Sequence, residues 1–217
     1  METKIREIFA SIQGEGPYIG YKQLFVRFCG CNLHCGYCDT EFEIKNSKTY
    51  SVEELLEIVN KHSDCHSVSL TGGEPLLSVE FLKEFLPKST LPAYLETNGT
   101  LYKNLEAVIE WIDYISADIK LPSCTGLKPL WEEHDKFFEI ASRKKLFAKM
   151  VFDYNITDEE LEKACSLCRK YDIELILQPK MEGIIPAISA DFMQMILDKS
   201  FGKVRLIPQV HKFINVQ

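Results

Sequence analysis

Leu24-Phe-Val-Arg-Phe-Cys-Gly-Cys-Asn-Leu-His-Cys-Gly-Tyr-Cys38 is the stretch from which the rest of the chain can be read. Its first five residues form a short apolar run broken only by Arg27, the pattern of a buried strand. Behind it, Cys31, Cys35 and Cys38 make a C-x3-C-x2-C loop. Three thiolates on so short a loop can hold three irons of a cubane and leave the fourth without a protein ligand. An open metal position is where a small molecule can chelate. The same residues allow a second reading, a zinc site closed by Cys29 or His34 as fourth ligand. Cys29 otherwise reads as a small buried apolar side chain.

Outward from this loop, short apolar runs alternate with amphipathic stretches. Strands are expected at 24–28, 68–70, 93–96, 114–118, 147–152, 174–177 and 204–207, and helices near 51–61, 78–86, 103–111, 131–143, 157–171 and 189–199. Ser51-Val-Glu-Glu and Thr157-Asp-Glu-Glu carry helix start signals, the second with capping-box spacing. Alternation of this kind implies parallel pairing through crossover helices. The expected fold is α/β, a partial TIM-like barrel of parallel strands, because a closed eightfold barrel typically needs about 250 residues. An additional N-terminal strand near 6–12 is expected at an edge. The absence of any Pro-, Gly- or Ser-rich linker predicts a single domain over 1–217.

In such folds chemistry collects at the carboxyl ends of the strands, and the polar motifs of this chain fall there. Thr71-Gly-Gly-Glu-Pro75 follows one strand; its glycines permit close approach and unusual dihedrals, and Glu74 offers a carboxylate for an ammonium group. Glu96-Thr-Asn-Gly99, Ser116-Ala-Asp118-Ile-Lys120 and Gln178-Pro179 end three others. Taken singly, each reads equally as a turn or cap. Near the N-terminus, Gln13 and Glu15 can read the donors and acceptors of a polar heterocycle, and Arg27 can bind a carboxylate bidentately. Gly14-Glu-Gly16-Pro lacks the third glycine of a dinucleotide fingerprint.

The net charge of -7 argues against a nucleic-acid partner. There is no apolar run of membrane-spanning length and no signal-peptide pattern at the N-terminus, so a cytoplasmic location is expected. Eight cysteines in such a chain do not suggest a disulfide framework. Cys165 and Cys168 share a helix face and, with Cys65 and Cys124, read as buried free thiols rather than an auxiliary cluster. His62 and His66 read as cap or solvent contacts, Trp111 and Trp131 as packing.

The cysteine loop, with aromatic Tyr37 before its last cysteine, and the Gly-Gly-Glu motif one strand–helix unit later together resemble the radical S-adenosylmethionine superfamily. That resemblance implies a [4Fe–4S] cluster on Cys31, Cys35 and Cys38 whose open iron binds S-adenosylmethionine. The reduced cluster cleaves it to methionine and a 5′-deoxyadenosyl radical, which abstracts hydrogen from substrate; the protein supplies positioning.

Within the superfamily, Gln13-Gly-Glu-Gly16, Arg27, Cys38-Asp39-Thr40, Thr71–Pro75, Glu96–Gly99, Ser116–Lys120, Gln178-Pro179 and Gln209-Val-His211-Lys212 resemble the 7-carboxy-7-deazaguanine synthases of queuosine biosynthesis. The resemblance implies a carbon–nitrogen lyase that contracts 6-carboxy-5,6,7,8-tetrahydropterin to 7-carboxy-7-deazaguanine with loss of ammonia. It places substrate at Ile12, Gln13, Gly14, Glu15, Arg27 and Thr71. It places S-adenosylmethionine at Tyr37, Cys38, Asp39, Gly73, Glu74, Ser116, Ala117, Asp118 and Gln178. Thr40 would ligate Mg²⁺, an ion that prefers oxygen donors, and the terminal carboxylate of Gln217 would reach the pterin, although the family's proline is missing there. A homodimer and a flavodoxin or ferredoxin as electron donor are also implied. Two alternatives stay open on the residues: an activating enzyme for glycyl-radical proteins, which would have little use for Gln13, Glu15 and Arg27, and a zinc-stabilised binding module.

Overall fold

A computed structural model of the chain describes residues 1–36, 38 and 47–216. Strand β1 (Glu2–Ile12) turns through a short 3-10 segment, Gly16–Tyr18, into its antiparallel partner β2 (Lys22–Phe28). β3 (Lys48–Ser51) pairs with the other edge of β1, and α1 (Val52–Lys61) follows at once. The chain then alternates: β4 (Ser67–Gly72), α2 (Val79–Phe85), β5 (Ala93–Thr97), α3 (Tyr102–Glu106), β6 (Tyr114–Asp118), α4 (Pro122–Thr125), α5 (Trp131–Ala141), β7 (Lys145–Phe152), α6 (Asp158–Lys170) and β8 (Glu174–Pro179). A small hairpin of β9 (Met181–Glu182) and β10 (Ile185–Pro186) precedes α7 (Ala190–Lys199), β11 (Val204–Leu206) and α8 (Val210–Ile214).

The nine-stranded sheet has the order β11-β8-β7-β6-β5-β4-β2-β1-β3, and all pairings from β2 to β11 are parallel. All seven strands expected from the sequence are present. So is the N-terminal strand, which starts four residues earlier than expected, at Glu2, but it is not at the edge, because β3 pairs along its outer side. Among the described residues β11 and β3 end the order, so the barrel is open.

Period-2 alternation gives the sheet two different faces. Leu24, Val26, Phe28, Val68, Leu70, Leu95, Ile115, Ala117, Ala148, Met150, Phe152, Leu175 and Leu177 all enter the main core, against the helices. The intervening residues face inward. Towards the strands' amino ends they are aromatic or aliphatic, with Tyr94, Phe147 and Ile176 packed against Tyr18 and Tyr114. Tyr18 meets Tyr114 edge-on at 4.9 Å, filling the barrel floor. Towards the carboxyl ends the inward positions become polar.

Both expected helix starts are complete capping boxes. Ser51 accepts from the Glu54 backbone and Thr157 from that of Glu160, while each glutamate returns a bond to its cap. The 103–111 helix is shorter than expected. α3 stops at Glu106, and a 3-10 turn, Ile109–Trp111, takes over at the β-branched pair Val108-Ile109, a poor helix continuation. β3, α4 and α8 have no counterpart among the expected elements; each is five residues or fewer, too short to show a period. Cys65, Cys165 and Cys168 are buried in the core as expected, whereas Cys29 and Cys124 are only half-buried. No helix among the described residues is long and apolar enough to cross a membrane.

Candidate active site

A cavity of about 490 Å³ opens at the carboxyl ends of the strands. It takes residues from β1, β2 and all of β4 to β8, which requires the sheet to curl around it. Of the expected site residues it gathers Ile12, Gln13, Gly14, Glu15, Arg27, Thr71, Gly73, Asp118, Gln178 and all three cysteines, Cys31, Cys35 and Cys38. Tyr37, Asp39, Thr40 and Gln217 lie outside the described residues.

Backbone hydrogen bonds seat the cysteine loop against the second motif. Gly73 N–H donates to Phe28 O at 3.1 Å and Glu74 N–H to Gly30 O at 2.8 Å. A Cβ on Gly73 would stand 1.9 Å from Gly30 O, and one on Gly72, whose φ is +115°, would stand 2.4 Å from Phe28 O. The paired glycines therefore lock the second motif against the first loop. On the other side, Gly36 N–H donates to Thr125 O of α4 at 2.8 Å. Among the described residues no three His, Cys, Asp or Glu side chains converge as ligands of one metal ion. Three thiols facing one cavity suit a cubane, where each binds its own iron. Burial raises the Cys31 and Cys35 thiols above their ordinary range, so cluster binding displaces protons. The Gln178 side-chain oxygen is buried without a hydrogen-bond partner. Such an orphan facing a cavity is what a ligand-binding wall shows before its ligand is in place.

A chain of charges crosses the cavity. Gln209 donates to Glu15 Oε1 at 2.6 Å, and Glu15 Oε2 pairs with Lys149 of β7. Lys149 also reaches Asp118 Oδ1 at 3.4 Å, and Asp118 Oδ2 pairs with Lys120 at 2.6 Å. Burial alone would push the Glu15 carboxyl up, but Lys149 and Gln209 outweigh it and hold it at about 2. Lys149 is itself raised above its ordinary value: Asp118, Glu15 and Glu96 overcome the cost of burial. Lys149 is a site residue that the motifs do not reveal. Its signal is a charge at an inward position of Lys145–Phe152, between Phe147 and Val151.

Next to this chain, Glu96 accepts from Thr71 Oγ1 at 2.9 Å, Ser69 Oγ at 3.3 Å and Gln13 Nε2 at 2.9 Å. Gln13 Nε2 also donates to Gln23, and its Oε1 accepts from the Glu15 backbone at 3.0 Å. The Gln13 amide is thus consumed within the protein, 2% exposed; it orients Glu96 and Glu15 rather than presenting a free group. Arg27 Nη1 pairs with Glu7 at 3.0 Å, and its guanidinium lies 5.6 Å from the Phe9 ring centroid. Phe9 in turn stacks on Phe25 at 5.3 Å.

The N- and C-terminal motifs meet here. Val210 N–H donates to Gly14 O at 2.8 Å, and a Cβ on Gly14 would stand 2.5 Å from His211 Nδ1. Only glycine at position 14 lets the Gln209–Lys212 segment close over the cavity.

Three expectations are corrected. Glu74 does not face the cavity: it is fully buried, and its oxygens accept from Leu76 N–H, Thr97 Oγ1 and Asn98 N–H. Burial raises its pKa to about 7 against these hydrogen bonds. With its acceptors taken by the protein, it ties β4 to the end of β5 instead of holding an ammonium. Ser116 and Ala117 are buried and lie off the cavity wall; of that strand end only Asp118 and Lys120 line it, because inward and outward positions alternate and burial closes over Ser116.

A radical SAM superfamily model matches residues 25–168. A 7-carboxy-7-deazaguanine synthase of Geobacter sulfurreducens is 37% identical, over 98% of this chain and 97% of its own length. One from Archaeoglobus fulgidus is 36% identical over the full length of both. The crystal structure of QueE from Escherichia coli superposes with a TM-score of 0.68 at 21% identity, covering 97% of this chain and 95% of that one, and shares the fold. The chain belongs to the radical SAM superfamily and, within it, to the 7-carboxy-7-deazaguanine synthases.

Proposed function

We propose that the cavity converts 6-carboxy-5,6,7,8-tetrahydropterin to 7-carboxy-7-deazaguanine with release of ammonia. One observation carries the reading. The Gln-Gly-Glu-Gly turn and the Gln-x-His-Lys segment, the two motifs that separate this family from other radical SAM enzymes, close over the same cavity that the three cysteines line. An activating enzyme for a large protein partner would have no use for that closure.

Cys31, Cys35 and Cys38 would hold a [4Fe–4S] cluster, with Gly73, Asp118 and Gln178 at the S-adenosylmethionine side and Tyr37 and Asp39 joining from the loop. Cluster and S-adenosylmethionine, when bound, supply one-electron radical chemistry. The chain's own residues do the rest. Arg27 presents a fork of donors to the substrate carboxylate. Glu15, kept ionised by Lys149, and Glu96, held by Thr71 and Gln13, are acceptors for ring N–H groups. Lys149 stands between the substrate-side and cofactor-side carboxylates, so it fixes their separation. The cover made by Gln209–Lys212 excludes water from the reacting centre. Thr40 is assigned to Mg²⁺, which would offset charge on the substrate. The continuous core from Ile5 to Ile196 supports one functional domain. A homodimer, a flavodoxin- or ferredoxin-class donor and a cytoplasmic setting complete the reading.

The test is anaerobic turnover of reconstituted protein with dithionite, S-adenosylmethionine and the carboxytetrahydropterin, read by mass spectrometry. The expected product is 7-carboxy-7-deazaguanine with little net loss of S-adenosylmethionine. Release of 5′-deoxyadenosine without that product would remove the substrate assignment.

A further inference from the structure

We infer that Asn98 sets the reduction potential of the cluster by donating a hydrogen bond to the sulfur of Cys31. Asn98 sits in the turn that ends β5. Its Nδ2 lies 3.8 Å from Cys31 Sγ, within reach for a large sulfur acceptor, and 2.8 Å from Asn32 Oδ1. Both amide hydrogens therefore have a destination.

The orientation of that amide is forced. Asn98 Oδ1 accepts from the Thr100 backbone N–H at 3.2 Å and from Thr100 Oγ1 at 2.6 Å. A backbone N–H is an obligatory donor, so the reversed amide would set donor against donor. Thr100 Oγ1 accepts in turn from Asn32 Nδ2 at 3.0 Å. Asn98, Asn32 and Thr100 thus form a closed ring of side-chain bonds, each donor polarising the next. The one side-chain hydrogen of Asn98 that the ring leaves over points at Cys31. The backbone of Asn98 is separately pinned by Glu74 at 2.8 Å. Asn98 and Thr100 are buried, so water does not replace the donor.

A donor aimed at a cluster sulfur favours the reduced, more negative state, and hydrogen bonds to the sulfurs are among the levers that set such potentials. Leu33 N–H also donates to Cys31 Sγ, at 3.4 Å, but as part of the loop itself. Asn98 is the side chain outside the loop that can be changed without touching the ligand segment.

The inference rests on Cys31 being a cluster ligand, and the experiment separates the two. The full chain, reconstituted anaerobically, is titrated reductively and followed by electron paramagnetic resonance, with iron and sulfide content measured. Asn98→Ala removes the donor. Asn98→Leu removes it as well, while keeping a side chain of similar shape. Both are expected to lower the midpoint, leaving about threefold less reduced cluster at a fixed potential, roughly 30 mV at 59 mV per decade for one electron. A fully loaded Asn98→Ala protein with the wild-type midpoint would overturn the inference. If that variant fails to hold a cluster, a loaded Asn98→Leu protein with an unmoved midpoint overturns it equally. Cys31→Ala reports on the assignment beneath: a complete cluster with unchanged spectra there would mean Cys31 is not a ligand.

Discussion

His134 of α5 and Gly99, 35 residues apart in sequence, are joined by a 3.0 Å bond between the imidazole Nδ1 and the glycine carbonyl. The other ring nitrogen, Nε2, accepts from Lys120 N–H at 3.1 Å, so the hydrogen resides on Nδ1. One neutral ring therefore holds together the turn after β5 and the segment after β6, from which Asn98 and Lys120 enter the site. Burial drives its pKa down from 6.5 to about 4. The depressed value gives stability that is fully present above pH 6.5 and is lost as pH falls through 4, about 3 kcal/mol in all. His134→Gln is expected to lower stability at neutral pH and to flatten this loss. Denaturant midpoints measured between pH 7 and 4 check it. An equally steep loss in the variant would assign the dependence to other groups.

Lys149 supports a second expectation. Removing one partner of a buried ion pair leaves the other uncompensated, typically at a cost of about 3–5 kcal/mol. In Lys149→Met the Glu15 and Asp118 carboxylates lose their shared cation. The Glu15 carboxyl, at about 2 in the wild type, then rises towards and beyond ordinary carboxylate values. Wild-type kcat/KM should show no Glu15 protonation above pH 5, since the carboxyl remains ionised until the pH falls through about 2. The variant should lose activity as pH is lowered from 7 to 5, and Lys149→Arg should restore much of the flat profile. A variant with a flat, uniformly reduced profile would show that Lys149 acts without governing Glu15.

Much of this was legible in the sequence because apolar runs and turn residues report backbone geometry directly. The seven parallel strands, the capping boxes at Ser51 and Thr157 and the cysteine loop are local patterns, and all are where they were read. What escaped depended on which face of a strand a residue occupies and on what comes back to meet it. Glu74 reads as a ligand because a carboxylate after two glycines is chemically suitable; only the fold shows Thr97 and Asn98 claiming its oxygens. His134, on a helix with no motif around it, carries no signal. Lys149 does carry one, since counting by twos from Phe147 places it inside the barrel.

Arg27 is held before any substrate arrives. Glu7, its direct cross-strand partner, takes Nη1, and Phe9 lies against the guanidinium. Arginine has five donors in a planar fork, so the other edge stays available for a carboxylate. Lysine cannot reproduce that fork. Arg27→Lys is therefore expected to raise KM for the carboxylated pterin about tenfold, the equivalent of a charge-assisted hydrogen bond, with a smaller change in kcat. Steady-state kinetics check it. An unchanged KM would remove Arg27 from the substrate carboxylate.

Gly73→Ala tests how the two motifs are assembled. The new methyl would stand 1.9 Å from Gly30 O and 2.6 Å from Gly30 C, both backbone atoms, so no side chain can rotate away to admit it. Either the Gly-Gly-Glu turn or the cysteine loop must move. The bond from Glu74 N–H to Gly30 O, 2.8 Å long, would be the first to break. The core beneath is built from β2 and β4 side chains on the opposite face, so the domain should still fold, with a stability loss of about 2 kcal/mol or more. The distinguishing outcome is cluster occupancy. Displacing the loop spreads three thiols whose spacing must match three irons, so iron content after reconstitution should fall well below that of the wild type. A Gly73→Ala protein that assembles a full cluster but no longer binds S-adenosylmethionine would instead place the role of this glycine at the cofactor and not at the loop.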